Sequence, residues 1–94
     1  MNFMFPKTKF ADENTLEEQL KHLESELEEV KKAGTYYDMT EELFDLIHSA
    51  ETALRIIRKD PDLNKAMDFI KEEVIMKNIE RGYYTGVCEN ECKT

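Results

Sequence analysis

Apolar residues recur every three or four positions from residue 16 onward, which is the spacing of one face of an α-helix. In the first segment they are Leu16, Leu20, Leu23, Leu27, Val30 and Ala33. Thr15 and Glu18 precede this stripe with the spacing of a capping box, in which each side chain bonds the other residue's backbone N–H. Gly34 is expected to end the helix in a left-handed conformation. The pattern predicts a helix over about 16–33.

The second apolar segment has the widest stripe, because Phe44, Leu46, Ala53 and Ile56 flank its main line. That main line consists of Leu43, Ile47, Ala50, Leu54 and Ile57. A helix that is apolar over most of its girth belongs at the centre of a bundle. Asp38 with Glu41, or Thr40 alone, can cap its start. The pattern predicts a helix over about 39–59.

Asp60-Pro61-Asp62 separates the second helix from a third, since the residue before proline avoids the helical region. The third stripe comprises Leu63, Met67, Ile70 and Val74, and the helix is expected to end before Gly82. We therefore predict a helix over about 62–81.

Together these elements predict an all-α fold, a three-helix amphipathic protomer in a single domain over 1–94. So short a chain buries little of its surface, which favours a bundle completed by homo-oligomerisation, as a dimer or tetramer. The ends, 1–12 and 85–94, lack helical periodicity and are expected to be loosely held.

The net charge of −8 argues against nucleic-acid and anionic-membrane partners, because phosphate contacts need clustered cations. No apolar run is long enough for a membrane span or continuous enough for a signal peptide. Cys88 and Cys92 enclose too short a loop for a structural disulfide and are weak evidence for a metal site. These features predict a cytoplasmic protein.

Two pairs of acidic residues share a rotational position on the first two predicted helices. Relative to the apolar stripe of each helix, Glu26 and Glu29 lie roughly 80° and 140° to one side, and Glu42 and Asp45 roughly 100° and 160° to the same side. Four converging carboxylates repel one another unless they hold protons or a cation. Oxygen ligands without His or Cys favour Mg²⁺, or Mn²⁺, over zinc. A solvated acidic face remains an alternative, and so does a rival pair, Glu24 and Glu28.

The apolar line of the third helix continues through Lys77 to Arg81. Cations that extend a buried stripe need an anion nearby, and Asn78 and Tyr84 add polar and aromatic groups. A carboxylate cluster with such a cationic group suits a magnesium-bound polyphosphate nucleotide. The alternative is that Lys77 and Arg81 reach the surface and pair with exposed acids.

Three segments in this order resemble the MazG-like all-α nucleoside triphosphate pyrophosphohydrolases, which include small phage and prophage members. Ser25-Glu26-Leu27-Glu28-Glu29 is similar to the family motif E-E-x-x-E, and Glu42-Leu43-Phe44-Asp45 to E-x-x-D. Lys77-Asn78-Ile79-Glu80-Arg81-Gly82-Tyr83-Tyr84 is similar to the C-terminal K-N-x-x-R-G-Y-Y. The likeness covers roughly residues 15–84.

The resemblance implies hydrolysis of a nucleoside triphosphate to the monophosphate and pyrophosphate. It implies catalytic metal ligands at Glu26, Glu29, Glu42 and Asp45, and substrate contacts from Lys77, Asn78, Arg81 and Tyr84. Ser25 departs from the motif, where a glutamate is usual, and so keeps open a nucleotide-binding relative with weak or lost activity. A helical interaction module without catalysis is the other alternative. His22 and His48 are interpreted as bystanders.

Overall fold

The computed structural model describes residues 1–85 of the chain, and within them every regular element is a helix. A short helix, α1, spans Phe10–Glu13, and three long helices follow: α2 (Leu16–Lys32), α3 (Tyr36–Ile57) and α4 (Pro61–Glu80). Residues 1–85 contain no strand, so the prediction of an all-α fold is confirmed. None of the described helices is both long and apolar enough to cross a membrane.

The start of α2 has the predicted capping box. Thr15 Oγ1 accepts a hydrogen bond from the backbone N–H of Glu18 at 3.1 Å, and Glu18 Oε1 accepts one from the N–H of Thr15 at 2.8 Å. Two of the N–H groups that a helix start leaves unpaired are thereby satisfied.

The start of α3 differs from the prediction. Thr35, with an extended backbone, accepts from the N–H of Asp38 at 3.0 Å, so the helix begins at Tyr36 and not near residue 39. The expectation that Asp38 or Thr40 caps it was wrong, because a threonine hydroxyl was already available at the correct offset. The Thr40 hydroxyl instead donates to the carbonyl of Tyr36.

The predicted left-handed stop at Gly34 is also wrong. The residue after α2, Ala33, already has an extended backbone with ψ 134°, so the chain leaves the helix before the glycine is reached. Among the described residues, positive φ occurs at Gly82 (φ 73°), just beyond α4. The glycine that supplies a left-handed turn is therefore the one after the last helix.

The start of α4 follows from the proline. Pro61 occupies the first helical position, where a missing N–H costs nothing. Asp60 Oδ1 accepts from the N–H groups of Asp62 and Leu63 at 2.9 and 3.3 Å. The side chain of Asp60 thus caps the new helix after the previous one has ended.

The described residues form two compact units, 1–64 and 65–85. In the first unit, α2 and α1 both pack against α3. The buried residues of this unit are small or polar: Ala11, Gln19, Ser49, Thr52 and Ala53. Both ends of the Gln19 amide are paired, because Nε2 donates to the carbonyl of Ser49 at 3.0 Å and Oε1 accepts from Asn14 Nδ2 at 2.9 Å. One domain over 1–94 stays a prediction.

The N-terminal segment is attached to α3, so the expectation that residues 1–12 are loosely held was wrong. The backbone N–H groups of Met4 and Phe5 donate to the two carboxylate oxygens of Glu51 at 2.7 and 2.9 Å. Arg55 Nη2 donates to the carbonyl of Phe5 at 2.9 Å. The other predicted loose end, including Cys88 and Cys92, lies outside the described residues from position 86 onward.

Candidate metal centre

Three of the four predicted carboxylates meet between α2 and α3. Glu26, Glu42 and Asp45 each offer one oxygen, and these oxygens all lie within 4.8 Å of one another. Glu26 and Glu42 are half-buried, and Asp45 is exposed. Glu42 and Asp45 are three residues apart on α3, so both side chains leave the same face of the helix. The rotational positions read from the two helical stripes therefore bring these acids together.

The proximity of these acids has an electrostatic cost at Glu42. Partial burial, and after it the negative charges of Asp45, Glu29, Glu26 and Glu41, raise the pKa of the Glu42 carboxyl above its ordinary value. Both causes disfavour the ionised form of this side chain. A bound cation would reverse the second cause, because it would offset the negative charge around Glu42.

Glu26 has a partner that the sequence interpretation missed. Its Oε2 lies 3.1 Å from Nε2 of His22, one helical turn earlier on α2. The i, i+4 spacing of His22 and Glu26 was the available signal, since residues four apart on a helix are neighbours. His22 holds one carboxylate oxygen and leaves the other available to a ligand.

A cavity of about 220 Å³ opens beside the acids. Its lining includes Glu26, Asp45 and both histidines, together with Thr8, Phe10, Gln19, Ser49 and Thr52. His48, interpreted from the sequence as a surface bystander, stacks on the Phe5 ring with centroids 4.6 Å apart. Thr8 Oγ1 is buried and has no hydrogen-bond partner among the described residues. The cavity therefore brings two carboxylates and two imidazoles to one concave surface.

Glu29, the fourth predicted ligand, lies beside the group and not in it. It lines a cavity of about 230 Å³ with Glu42, Lys32 and Asp38, and its charge contributes to the raised pKa of Glu42. The oxygens that converge within 4.8 Å are those of the other three acids. Glu29 is thus a neighbour of the carboxylate group in this arrangement.

The rival acids on α2 have surface environments. Glu28 forms an exposed ion pair with Lys31 at 3.4 Å, one turn further along the helix. Glu24 is exposed and borders an apolar groove with Leu20, Leu23 and Leu27, away from the converging carboxylates. Of the two candidate pairs on α2, it is the pair containing Glu26 that contributes to the group.

The predicted substrate-binding residues belong to the second unit, at the C-terminal end of α4 and just beyond it. Lys77 and Arg81 are exposed, and the Arg81 guanidinium lies 5.7 Å from the centre of the Tyr83 ring. Asn78 Nδ2 donates to the Tyr84 hydroxyl at 3.4 Å. These contacts hold the amide and the phenol of the K-N-x-x-R-G-Y-Y segment together within their own unit.

The three carboxylates form a set of hard oxygen donors, which fits the coordination chemistry of Mg²⁺ or Mn²⁺. The contact from His22 is of the kind that orients a ligating carboxylate from outside the metal's own shell. Comparisons of the chain with protein-family models, with curated proteins and with solved structures found no match.

Proposed function

We propose that this protein is a magnesium-dependent nucleoside triphosphate pyrophosphohydrolase of the MazG-like type. The observation that carries the proposal is the convergence of Glu26, Glu42 and Asp45 within 4.8 Å. These three residues occupy metal-ligand positions of the two acidic motifs that the sequence resembles, which lie on different helices. A solvated acidic face would not require the matching residues of two separate motifs to meet.

The residues present fit a divalent metal ion. Glu26, Glu42 and Asp45 would hold it, and the motif resemblance implies Glu29 as a fourth ligand. A bound Mg²⁺ supplies neutralisation of phosphate charge and activation of the attacking water. His22 keeps the Glu26 carboxylate oriented, so that less ordering remains to be done when the cation arrives.

The proposed reaction adds water to the α-phosphorus of the nucleotide and breaks the bond from that phosphorus to the α–β bridging oxygen. The products are the nucleoside monophosphate and pyrophosphate. Lys77 and Arg81 are proposed to contact the outer phosphates, where cationic donors stabilise charge that moves onto the leaving group. Asn78 and Tyr84 are proposed to contact the base or the sugar.

The direct test is a panel of canonical and modified nucleoside triphosphates incubated with the protein and Mg²⁺, scored for pyrophosphate. We expect release from at least one substrate and none in metal-stripped buffer. Orthophosphate as the first product would indicate cleavage at the terminal phosphate and would contradict the proposed reaction. Absence of any product across the panel would contradict catalysis altogether.

A second candidate is a nucleotide-binding relative without turnover, which Ser25 favours because it stands where the motif usually has an acid. Calorimetry on the same panel separates the two. Magnesium-dependent nucleotide binding without pyrophosphate release supports the binding protein. Replacing Ser25→Glu should then raise activity if the missing acid is the cause. Absence of both metal and nucleotide binding would leave a helical interaction module.

A further inference from the structure

A second polar cavity, of about 350 Å³, lies in the first unit. It is lined by Lys7, Ala11 and Asp12 from the N-terminal region, by Arg55, Arg58 and Lys59 at the end of α3, and by Asn64. It shares no lining residue with the cavity beside the carboxylates. It is therefore a separate concave site on the same unit.

The lining of this cavity is basic in a chain whose net charge is −8. It contains four cationic side chains and one carboxylate, and that carboxylate, Asp12, is paired with Lys7 at 3.0 Å. Arg55, Arg58 and Lys59 form no ion pair within the described residues. Positive charges gathered in a concavity repel one another unless an anion joins them.

The two arginines are held in place and not free to separate. Arg55, in the last turn of α3, and Arg58, just after the helix, both lie over the Phe3 ring, with guanidinium carbons 4.2 and 5.0 Å from its centre. Arg55 is fixed further by the hydrogen bond from Nη2 to the Phe5 carbonyl. This placement positions the charged groups before any ligand arrives, which reduces the ordering cost of binding.

Arg55 also has an unused donor. Its Nη1 is buried and makes no hydrogen bond within the described residues. Buried polar groups in native proteins are nearly always paired, and the cost of an unpaired one is greater for a charged donor. An anion in the cavity that Arg55 lines would offset the charge of this guanidinium.

We propose that this cavity binds an oxyanion of the phosphate class that carries two or more negative charges. A tetrahedral phosphate presents several acceptor oxygens, which matches guanidinium groups and ammonium groups approaching from different sides. A long polyanion such as a nucleic acid would also meet the acidic remainder of the surface, whereas a small anion fits within the cavity. The site does not depend on the carboxylate group or on the proposed hydrolysis.

The test is calorimetric titration of the full chain, in metal-stripped buffer of low ionic strength, with inorganic phosphate, pyrophosphate and adenosine monophosphate as probes. Removing the metal leaves the carboxylate site repulsive to anions. We expect one phosphate-class anion per chain, with affinity that falls as sodium chloride is added. Binding of the nucleotide as well as the inorganic anions would indicate that an esterified phosphate is accepted. Binding of the inorganic anions alone would restrict the site to free phosphate or pyrophosphate.

Arg58→Gln and Lys59→Gln are the informative variants, because neither side chain makes a hydrogen bond within the described residues. Loss of one charged donor to the anion should weaken binding at least about tenfold. Lys21→Gln is the matched control, an exposed lysine on α2 outside this cavity, and should bind as the unmodified chain does. Circular dichroism checks that each variant is folded.

Three results would overturn the proposal. The first is no binding of any probe by the unmodified chain at low ionic strength. The second is unchanged affinity in both Arg58→Gln and Lys59→Gln. The third is an equal loss in Lys21→Gln, which would mean that the anions respond to overall charge and not to this cavity.

Discussion

Glu42 carries an electrostatic cost that the rest of the first unit must offset. Partial burial and the neighbouring acids raise the pKa of its carboxyl, so at neutral pH the folded chain holds an ionised group in an unfavourable place. In the unfolded chain the same group lies in water and far from Glu26 and Glu29, whereas Glu41 and Asp45 stay close to it along the sequence. The burial of Glu42 and its repulsion by the acids of α2 therefore belong to the folded state, and both are removed by neutralising the side chain.

Replacing Glu42→Gln should raise the melting temperature of the metal-free protein at pH 7. Because the folded-state pKa is raised above the ordinary value of 4.5, the folded chain binds more protons than the unfolded chain between the two values. Stability consequently falls as pH rises through that window. The increase in melting temperature of Glu42→Gln over the unmodified protein should be largest above the raised pKa of Glu42. It should vanish as the pH falls below 4.5.

Thermal melts of both proteins between acid and neutral pH check this prediction. Glu24→Gln is the control, since this exposed acid lies outside the carboxylate group and should show no such pH-dependent gain. A melting temperature that is equal or lower in Glu42→Gln at neutral pH would contradict the repulsion. With Mg²⁺ added, the unmodified protein should have the higher melting temperature of the two, because a cation that binds only the folded chain stabilises it.

The choice between the two acidic pairs on α2, Glu26 with Glu29 or Glu24 with Glu28, can be tested by single substitutions. Glu26→Gln should reduce pyrophosphate release by at least about 100-fold, the upper range for groups that merely orient a metal ligand. Glu24→Gln and Glu28→Gln should be nearly silent, because both acids are exposed and away from the converging oxygens. The measurement is initial rate at saturating Mg²⁺. Equal losses in Glu24→Gln and Glu26→Gln would show that the site has been wrongly assigned.

Residue spacing gave Glu26, Glu42 and Asp45 similar rotational positions on their helices, because it determines the direction of a side chain around the helix axis. Spacing alone left Glu24 and Glu28 as a rival pair, and it was the motif resemblance that favoured Glu26. The sequence could not show that Glu29 lies beside the group, since that depends on how far one helix slides along the other. It also failed to reveal the contact of His22 with Glu26, although their spacing allowed it. Residue spacing gives the angular position of a side chain around its own helix. It does not give the axial position of that side chain relative to a neighbouring helix.

At the scale of elements, the hydrogen bonds that could be predicted from the sequence are those between residues close together in the chain. The capping box of Thr15 and Glu18 was predicted correctly, because both hydrogen bonds close within three residues. Glu51 bonding the N–H groups of Met4 and Phe5 was not predictable, because 46 and 47 residues separate donor from acceptor. Such contacts depend on the packing of the finished unit.

The attachment of the N-terminal segment to α3 is testable through Glu51. Glu51→Ala removes the acceptor of two backbone N–H groups, and hydrogen bonds to a charged group are worth about 1.5–3 kcal/mol each. Because one of these bonds is exposed, we expect a loss of unfolding free energy of about 1–3 kcal/mol in total. Urea denaturation provides the measurement.

Limited proteolysis provides a second measurement of this attachment. The segment before α1 should be cleaved faster in Glu51→Ala, since its backbone is released from α3. Glu24→Ala, at an exposed position without a described hydrogen bond, should leave stability and cleavage unchanged. Unchanged cleavage in Glu51→Ala would mean that other contacts, such as Arg55 to Phe5, are sufficient to hold the segment.

At the scale of the whole molecule, the first unit leaves much of its apolar surface uncovered. Leu20, Leu27, Leu43 and Ile47 are 49%, 43%, 43% and 39% exposed, although they form the main stripes of α2 and α3. An apolar groove of about 490 Å³, lined by Leu20, Leu23, Leu27 and Leu46, lies on this surface. The stripes that the sequence assigned to a core are therefore only partly buried by the first unit.

This exposure supports the prediction of a homo-oligomer, in which a second copy covers the stripes of α2 and α3. Light scattering should give at least twice the 11.1 kDa of one chain at micromolar concentration. Leu20→Glu should shift the mass toward one chain, because a charge in a desolvated interface is costly. Ser25→Glu adds the same charge on the opposite face of α2 and should leave the mass unchanged. A monomer in the unmodified protein would contradict the prediction, as would equal dissociation in both variants.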